Sequence, residues 1–401
     1  MTTSVRDVVV VGGGPAGAAT AILLRQQGHD VVLVDEAVFP RDKICGESVS
    51  PEAWRLLGSI GARDAVRALV PYPLRGMQLV SSSGTACRGT YHRDGDELGF
   101  AVRRDVLDHT LLRVARDSGV EVREGTRARG IALAAGMVTG VSIDDASGSS
   151  RVDARLVVGA DGRRSVVARR LGLLREHRTW RKFAVRGHWE GMDDLGPWGE
   201  MHGSGKGGYC GVAPLGPNRA NVTFVLDRRE MTEASTGLES FYRHTIAARW
   251  PRLAERLRTA ELVTPPKAIG PLAIVARRLS VPGALLVGDA AGFYDPFTGE
   301  GVTLALRSAE LASTVADRAL RSTTTCDLAA YDRLRHAATR DKFRLNRILQ
   351  YVVSRPALAD AVARRLAGRP DLADRLVGIA GDLVPARSAF GPRFVWDLLT
   401  G

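Results

Sequence analysis

The stretch Val8–Gly17, VVVVGGGPAG, decides the fold of this chain. Its four valines read as a buried parallel strand, and Gly12, Gly14 and Gly17 follow at GxGxxG spacing, opening a helix expected over Pro15–Gln27. Glycine permits the tight turn and brings the backbone close to a pyrophosphate. The first helical turn, with Ala16 in it, offers amide hydrogens and partial positive charge. Asp30–Asp35 reads as the next strand. Asp35 stands eighteen positions after Gly17, where an acid accepts hydrogen bonds from a ribose hydroxyl, and Glu36 is its neighbour. Gly203, Gly205 and Gly208 repeat the spacing, but strand-like sequence follows them, so the second match reads as a glycine-rich turn.

The 401 residues, 45% hydrophobic and 25% charged, suffice for two closely packed domains. No segment approaches the roughly 18 to 20 consecutive apolar residues of a membrane span. Met1–Val11 carries none of the parts of a signal peptide, so a cytoplasmic location is expected. Cys45, Cys87, Cys210 and Cys326 lie far apart, without CxxC or His/Cys spacing suited to zinc. Neither a disulfide framework nor a structural metal is expected. The formal charge of +12 raises nucleic acid as a partner. The excess is scattered arginine with no lysine-rich tail or aromatic–basic module, so nucleic-acid binding is not expected.

Farther along, helix is expected around Pro51–Leu69, then a hairpin from GMQLV and CRGTY about a Ser-Ser-Ser-Gly turn. Asp105–Ser118 is amphipathic, with Leu107, Leu111, Val114 and Ala115 on one face. Short strands run from Val120 to Leu156–Asp161, a glycine-rich sheet region covers Phe183–Leu226, and Glu233–Ala260 reads as helix. Ala284–Gly292 is again a buried strand entering a turn, Thr303–Leu320 is helical, and helix dominates the rest. Cofactor signals thus recur early, midway and late, with β-rich sequence between them. The expected class is α/β (α+β overall), with a discontinuous Rossmann-type domain over 1–75, 97–175 and 276–322. An antiparallel substrate domain over 76–96 and 176–275 is inserted in it, and a helical region over 323–401 ends the chain.

Three further motifs separate FAD from NAD. GADGRRS (Gly159–Ser165), VGDAAG (Val287–Gly292) and VRRDVLD (Val102–Asp108) follow the N-terminal glycines. Together they make the chain resemble the FAD-dependent oxidoreductase superfamily of p-hydroxybenzoate hydroxylase, flavin halogenases and geranylgeranyl reductases. The resemblance covers nearly three quarters of the chain. It implies FAD as cofactor, Asp161 at cofactor and pyridine nucleotide, Gly288 and Asp289 at the ribityl chain, and Arg104 near the flavin. The plainer readings are a turn for Asp161 and a helix cap for Asp289. DPFTGEGV (Asp295–Val302) adds a physical argument: Pro296 stiffens the loop, while Gly299 and Gly301 let amides face a planar ligand closely. A helix starting near Val302 points its positive end back at them, which suits the negative edge of a reduced flavin.

FPRDKICGESVSPEA (Phe39–Ala53) narrows the resemblance to the geranylgeranyl reductase branch. It implies Cys45 and Gly46 beside the flavin ring and Arg41 at the adenosine part; a small buried filler is the plainer reading of the cysteine. Geranylgeranyl reductases carry YxWxFP on the strand walling the isoprenoid tunnel. In GYCGVAPL (Gly208–Leu215) Tyr209 and Pro214 keep their places, but Gly211 and Ala213 replace the two aromatics. The lost rings open room for a bulkier, ring-containing hydrophobic substrate. The halogenase WxWxIP is absent, which disfavours halogenation.

Two chemistries fit one cofactor site. In NAD(P)H-dependent monooxygenation one oxygen atom goes to an aromatic ring or alkene; in C=C reduction a hydride from reduced FAD and a proton saturate a double bond. Monooxygenation in specialised metabolism is the leading expectation, on the eroded YxWxFP. Reduction is the alternative, on the Cys-Gly-Glu and Phe-Thr-Gly-Glu-Gly motifs, and a non-redox flavoprotein is third. Cys45, Glu47 and Glu300 are the candidate catalytic groups, with solvated carboxylates an equal reading of both glutamates. No second strand–GxGxxG–helix exists, so NAD(P)H visits transiently or a separate protein supplies electrons. Leu345, Ile348, Leu349 and Val352 form a stripe flanked by Arg340, Lys342, Arg344 and Arg347. Packing on the protein body is expected over weak peripheral contact with an anionic membrane.

Overall fold

The computed structural model describes residues 5–91, 98–176, 181–293, 295–322 and 327–399. Cys326 and residues 96, 97 and 323, where domain boundaries are expected, lie outside them. Strand Arg6–Val11 sits mid-sheet, paired in parallel with Gly148–Gly159 on one side and Val31–Val34 on the other. Glu121–Arg123 and Ala284–Leu286 extend the sheet, also in parallel. Such a sheet is covered on both faces and needs continuous apolar strands, which VVVV, VVLV and ALL supply. Helices Pro15–Gln26, Arg104–Asp117 and Gly301–Arg321 cover one face through Ile22, Leu107, Leu111, Leu306 and Ala309. The other face lies under the antiparallel Arg127–Ala134 and Met137–Asp145 strands and the short helix Val166–Arg170.

The second sheet runs in the order Glu261–Leu262, Lys182–Glu190, Arg219–Asp227, Tyr209–Pro214, Trp198–Gly203, Gly76–Val80, Ala86–Thr90. It departs from a purely antiparallel sheet at one place: Gly76–Val80 pairs in parallel with Trp198–Gly203. Parallel neighbours need a long crossover, and here the intervening chain passes through the cofactor unit before returning. Side chains alternate across this sheet with the period of a strand. Val185, Cys210, Val222 and Phe224 face helix Leu238–Arg249, whereas Ala184, Tyr209 and Val225 face inward toward Phe297 and Leu272. A small third sheet joins Ser48–Val49, Gly99–Ala101 and Tyr72–Leu74.

Two expected helices are broken. Glu233–Ala260 begins as 3₁₀ turns and divides into Leu238–Arg249 and Pro251–Arg256, because Pro251 has no amide to continue the ladder. Pro51–Leu69 divides at Gly61, whose φ is 68°. In the C-terminal region, helix Ala329–Val353 packs Leu345 and Leu349 onto the body and leaves Ile348 44% exposed. No described helix is long and apolar enough to cross a membrane.

Candidate active site

Three loops meet over one cavity: the Gly12–Gly17 turn, the segment after Gly288 and the loop from Asp295 to Val302. The glycines divide into two kinds. A Cβ on Gly17 would lie 1.8 Å from the Gly12 carbonyl oxygen, and one on Gly12, at φ 107°, would lie 2.5 Å from that of Ala160. These two are required by the helix–sheet packing itself. Gly14, Gly46 and Gly301 are different, for their backbones are not left-handed. A Cβ on Gly14 would meet only Arg41 Nη2, at 3.7 Å, while on Gly46 or Gly301 it would meet nothing within 4 Å. All three line the cavity, so the space that a side chain would fill stays free for a ligand. Ala16, Gly288, Asp289, Pro296, Gly299 and Val302 line it as well. Gly14 stands at the start of helix Pro15–Gln26, and Gly301 opens the 21-residue helix Gly301–Arg321, so two positive helix ends converge there. Backbone amides, helix ends and space at three glycines fit a flavin dinucleotide.

The segment Cys45–Glu47 is fastened to both domains through Glu47. This residue is 1% exposed and holds φ 61°, left-handed backbone that a branched-free but bulky side chain rarely adopts. Its carboxylate accepts from the Arg104 amide (3.0 Å), His188 Nε2 (2.8 Å) and Asn221 Nδ2 (2.9 Å). Asn221 also donates to the Cys45 carbonyl at 2.8 Å. Glu47 therefore caps helix Arg104–Asp117 on one side and grips the substrate sheet on the other, with both oxygens occupied. Arg104 is buried and bidentate on Asp108, both contacts at 2.8 Å, and Arg41 reaches the same carboxylate at 2.9 Å. The guanidinium of Arg104 also lies within hydrogen-bonding reach of Cys45.

The far wall is the inner face of the second sheet. Tyr209, Gly211, Ala213, Thr223 and Val225 line it with Met77, Met201, Leu272 and Phe297. A Cβ on Gly211 would make only ordinary contacts at 3.8 Å or more, so glycine there leaves room rather than avoids a clash. Pro214 is buried at the end of the strand but does not line the cavity. Glu200 does line it; burial alone would raise its pKa, yet His202 and Arg256 hold it down to about 2. Tyr209 Oη donates to Asp295 Oδ1 at 2.5 Å, and burial together with that carboxylate pushes the phenol pKa well above its usual value.

Other residues singled out in the sequence lie apart from this cavity. Asp35 receives the Gly13 amide at 2.6 Å and the Ala37 amide at 2.8 Å, closing the first strand–helix–strand unit. Glu36 is exposed beside Arg127. Asp161 accepts from Ser165 Oγ (2.5 Å) and the Val166 amide (2.6 Å), the plain turn geometry that is the alternative reading of its motif; burial raises its pKa. Glu300 is 6% exposed and ion-paired with Lys342, behind the Asp295–Val302 loop rather than in the main cavity. Sequence reading missed Lys43, Arg163, Glu200 and Asp295. Lys43, Arg163 and Asp295 stand inside motifs already singled out, whereas Glu200 gives no signal beyond its charge. Burial and then neighbouring charges act on Lys43: Asp289 opposes the downward shift of its pKa, and Arg104 and Arg41 add to it.

Menaquinone reductase of Mycolicibacterium smegmatis is 31% identical over 326 residues, covering 77% of this chain and 75% of the relative. Digeranylgeranylglycerophospholipid reductase of Methanosarcina acetivorans is 27% identical, covering 79% and 76%. Among solved structures the flavin-dependent halogenase CmlS shares the fold, with a TM-score of 0.82 at 23% identity, over 96% of this chain and 77% of that one. The model of the FAD binding domain family matches residues 6–344, and the chain belongs to that family of FAD-dependent oxidoreductases.

Proposed function

We propose that this chain reduces a carbon–carbon double bond in a hydrophobic small molecule, with NAD(P)H as the source of electrons for its FAD. The carrying observation is the chemistry of the cavity wall. It is mostly apolar and offers the Tyr209 hydroxyl, whose pKa burial and Asp295 push up, as a proton donor, while the carboxylates of Glu47 and Glu200 are held by their own partners. Saturating an alkene calls for a hydride and a proton in a site shielded from water. FAD, when bound, supplies the hydride chemistry. The chain's own groups orient the ring at Gly14, Gly46 and Gly301, close the site with Met77, Met201 and Phe297, and hold the proton. The similarity to two proteins named as reductases supports the same reading.

Monooxygenation is the second reading, favoured by the space left at Gly211 and Ala213, which suits a ring-containing molecule. Mass spectrometry of products from a panel of prenyl alcohols, prenylated quinones and ring-fused terpenes, with and without oxygen, separates the two. A product gaining two hydrogen atoms under anaerobic conditions is expected. A product that gains one oxygen atom, and only in air, overturns reduction in favour of oxygenation.

A further inference from the structure

Behind the loop Asp295–Val302 lies a second, smaller cavity of about 30 Å³, bounded by Asp295, Pro296, Glu300, Arg335, Lys342 and Asn346. It shares Gly288, Asp289, Phe293, Pro296, Gly301 and Ala305 with the main cavity, so the two are back to back. Three of its lining residues carry a buried polar atom with no hydrogen-bond partner among the described residues: Asp295 Oδ2, Arg335 Nε and Asn346 Oδ1. All three residues are more than nine-tenths buried. Buried polar atoms without partners are costly, and here Arg335 Nε and Asn346 Oδ1 have none while Asp295 Oδ2 has only the Lys182 ammonium at 3.6 Å, so the small space calls for a polar occupant. The volume suits about two water molecules, which need two to four polar partners each. Arg335 and Lys342 also line a third cavity of about 270 Å³ with Arg307, Thr339 and Asp382, on the side away from the flavin loop.

On the opposite side, Asp295 reaches the main cavity through Tyr209. Asp295 Oδ1 accepts from Tyr209 Oη (2.5 Å), Gln350 Nε2 (2.8 Å) and the Phe297 amide (3.0 Å). Lys182 Nζ stands 3.6 Å from Oδ2. We infer that Asp295 is a two-sided proton shuttle, loaded at Oδ2 by water in the small cavity and unloading from Oδ1 through the Tyr209 hydroxyl into the main cavity. This rests on the double-bond reduction proposed above. There, FAD when bound would supply the hydride chemistry, and the Tyr209 hydroxyl, turned from Asp295 toward the substrate, would give its proton to the alkene carbon left with the electron pair. The proton held at Oδ2 then reaches the tyrosinate by rotation of the Asp295 carboxyl, which brings it to the position of Oδ1, and the carboxylate regains one from water. Burial raises the pKa of Asp295, with Lys182 opposing but not outweighing it, which favours a carboxyl able to hold a proton.

Infrared spectroscopy of the FAD-loaded protein tests the shuttle without a substrate. A protonated-carboxyl band that disappears in Asp295→Asn is expected, shifting in Tyr209→Phe and exchanging promptly in D2O. Asn346→Leu, which fills the small cavity, should slow that exchange by about tenfold or more, because exchange then waits on local opening. A carboxyl band absent from the wild type, or unaffected by Asp295→Asn, overturns the shuttle; so does exchange that is equally fast in Asn346→Leu with FAD retention and melting temperature unchanged. If Asn346→Leu fails to fold, Asn346→Met, which also fills the space, replaces it, and exchange as fast as in the wild type in that variant overturns the shuttle. Should no alkene in the panel be reduced while the infrared results hold, the reduction reading fails and the water-fed Asp295 remains.

Discussion

The two walls of the main cavity are made of different material. The wall proposed for the cofactor is backbone: Gly14, Gly288, Gly299 and Gly301, presented by loops at strand ends and helix starts, with Gly12 and Gly17 packed behind them. The substrate wall is side chain: Tyr209, Met201, Thr223, Val225 and Met77, drawn from strands more than a hundred residues apart. Glycine is required by the fold itself at Gly12 and Gly17, where a Cβ would meet backbone, whereas at Gly14 and Gly301 it leaves open the space proposed for the ligand. Side-chain binding tolerates change and sets what fits. One cavity thus holds a constant half and an adjustable half.

The sharpest break of that contrast lies at Gly17. Gly17→Val drives a side chain into the Gly12 carbonyl and should cost at least about 3 kcal/mol, leaving little folded protein by circular dichroism. Glu47→Ala strands His188 and Asn221 at the seam between the walls, and a loss of about 3 kcal/mol in urea unfolding is expected. The substrate wall has an acid weakness of similar size. The pKa of Glu200 is depressed in the folded state, so its ion pairs contribute above the ordinary carboxylate pKa, and that contribution of about 3 kcal/mol should drain away between about pH 4.5 and 2. Glu200→Gln should flatten the fall of stability over that window. Gly14→Val occupies ligand space only, so FAD affinity should drop on the order of 100-fold, about 2.7 kcal/mol, with an unchanged apoprotein melting temperature. Gly211→Leu, on the adjustable wall, should shift unfolding by less than about 1 kcal/mol and narrow the substrates accepted.

This division also governs what the sequence makes legible. The strand–turn–helix unit could be read from VVVVGGGPAG because its glycine spacing is the packing geometry of the turn itself. The parallel pairing of Gly76–Val80 with Trp198–Gly203 could not, since nothing local marks strands joined across an intervening domain. Glu47 was legible as a candidate acid or base in the Cys-Gly-Glu motif, but its work in holding Arg104, His188 and Asn221 depends on contacts 57 to 174 positions apart. Asp295 stood in a quoted motif for its neighbours' sake, and its hydrogen bonds to Tyr209 and Gln350 appear only when the sheet and the C-terminal helix meet.

The most direct measurement of the central claim is FAD content per chain, released by denaturation, for the wild type, Gly14→Val and Gly211→Leu purified side by side. One FAD per chain in the wild type and in Gly211→Leu, with most of it lost from a folded Gly14→Val, is the expected result. Equal FAD in all three, or loss from Gly211→Leu alone, would contradict the assignment of the two walls.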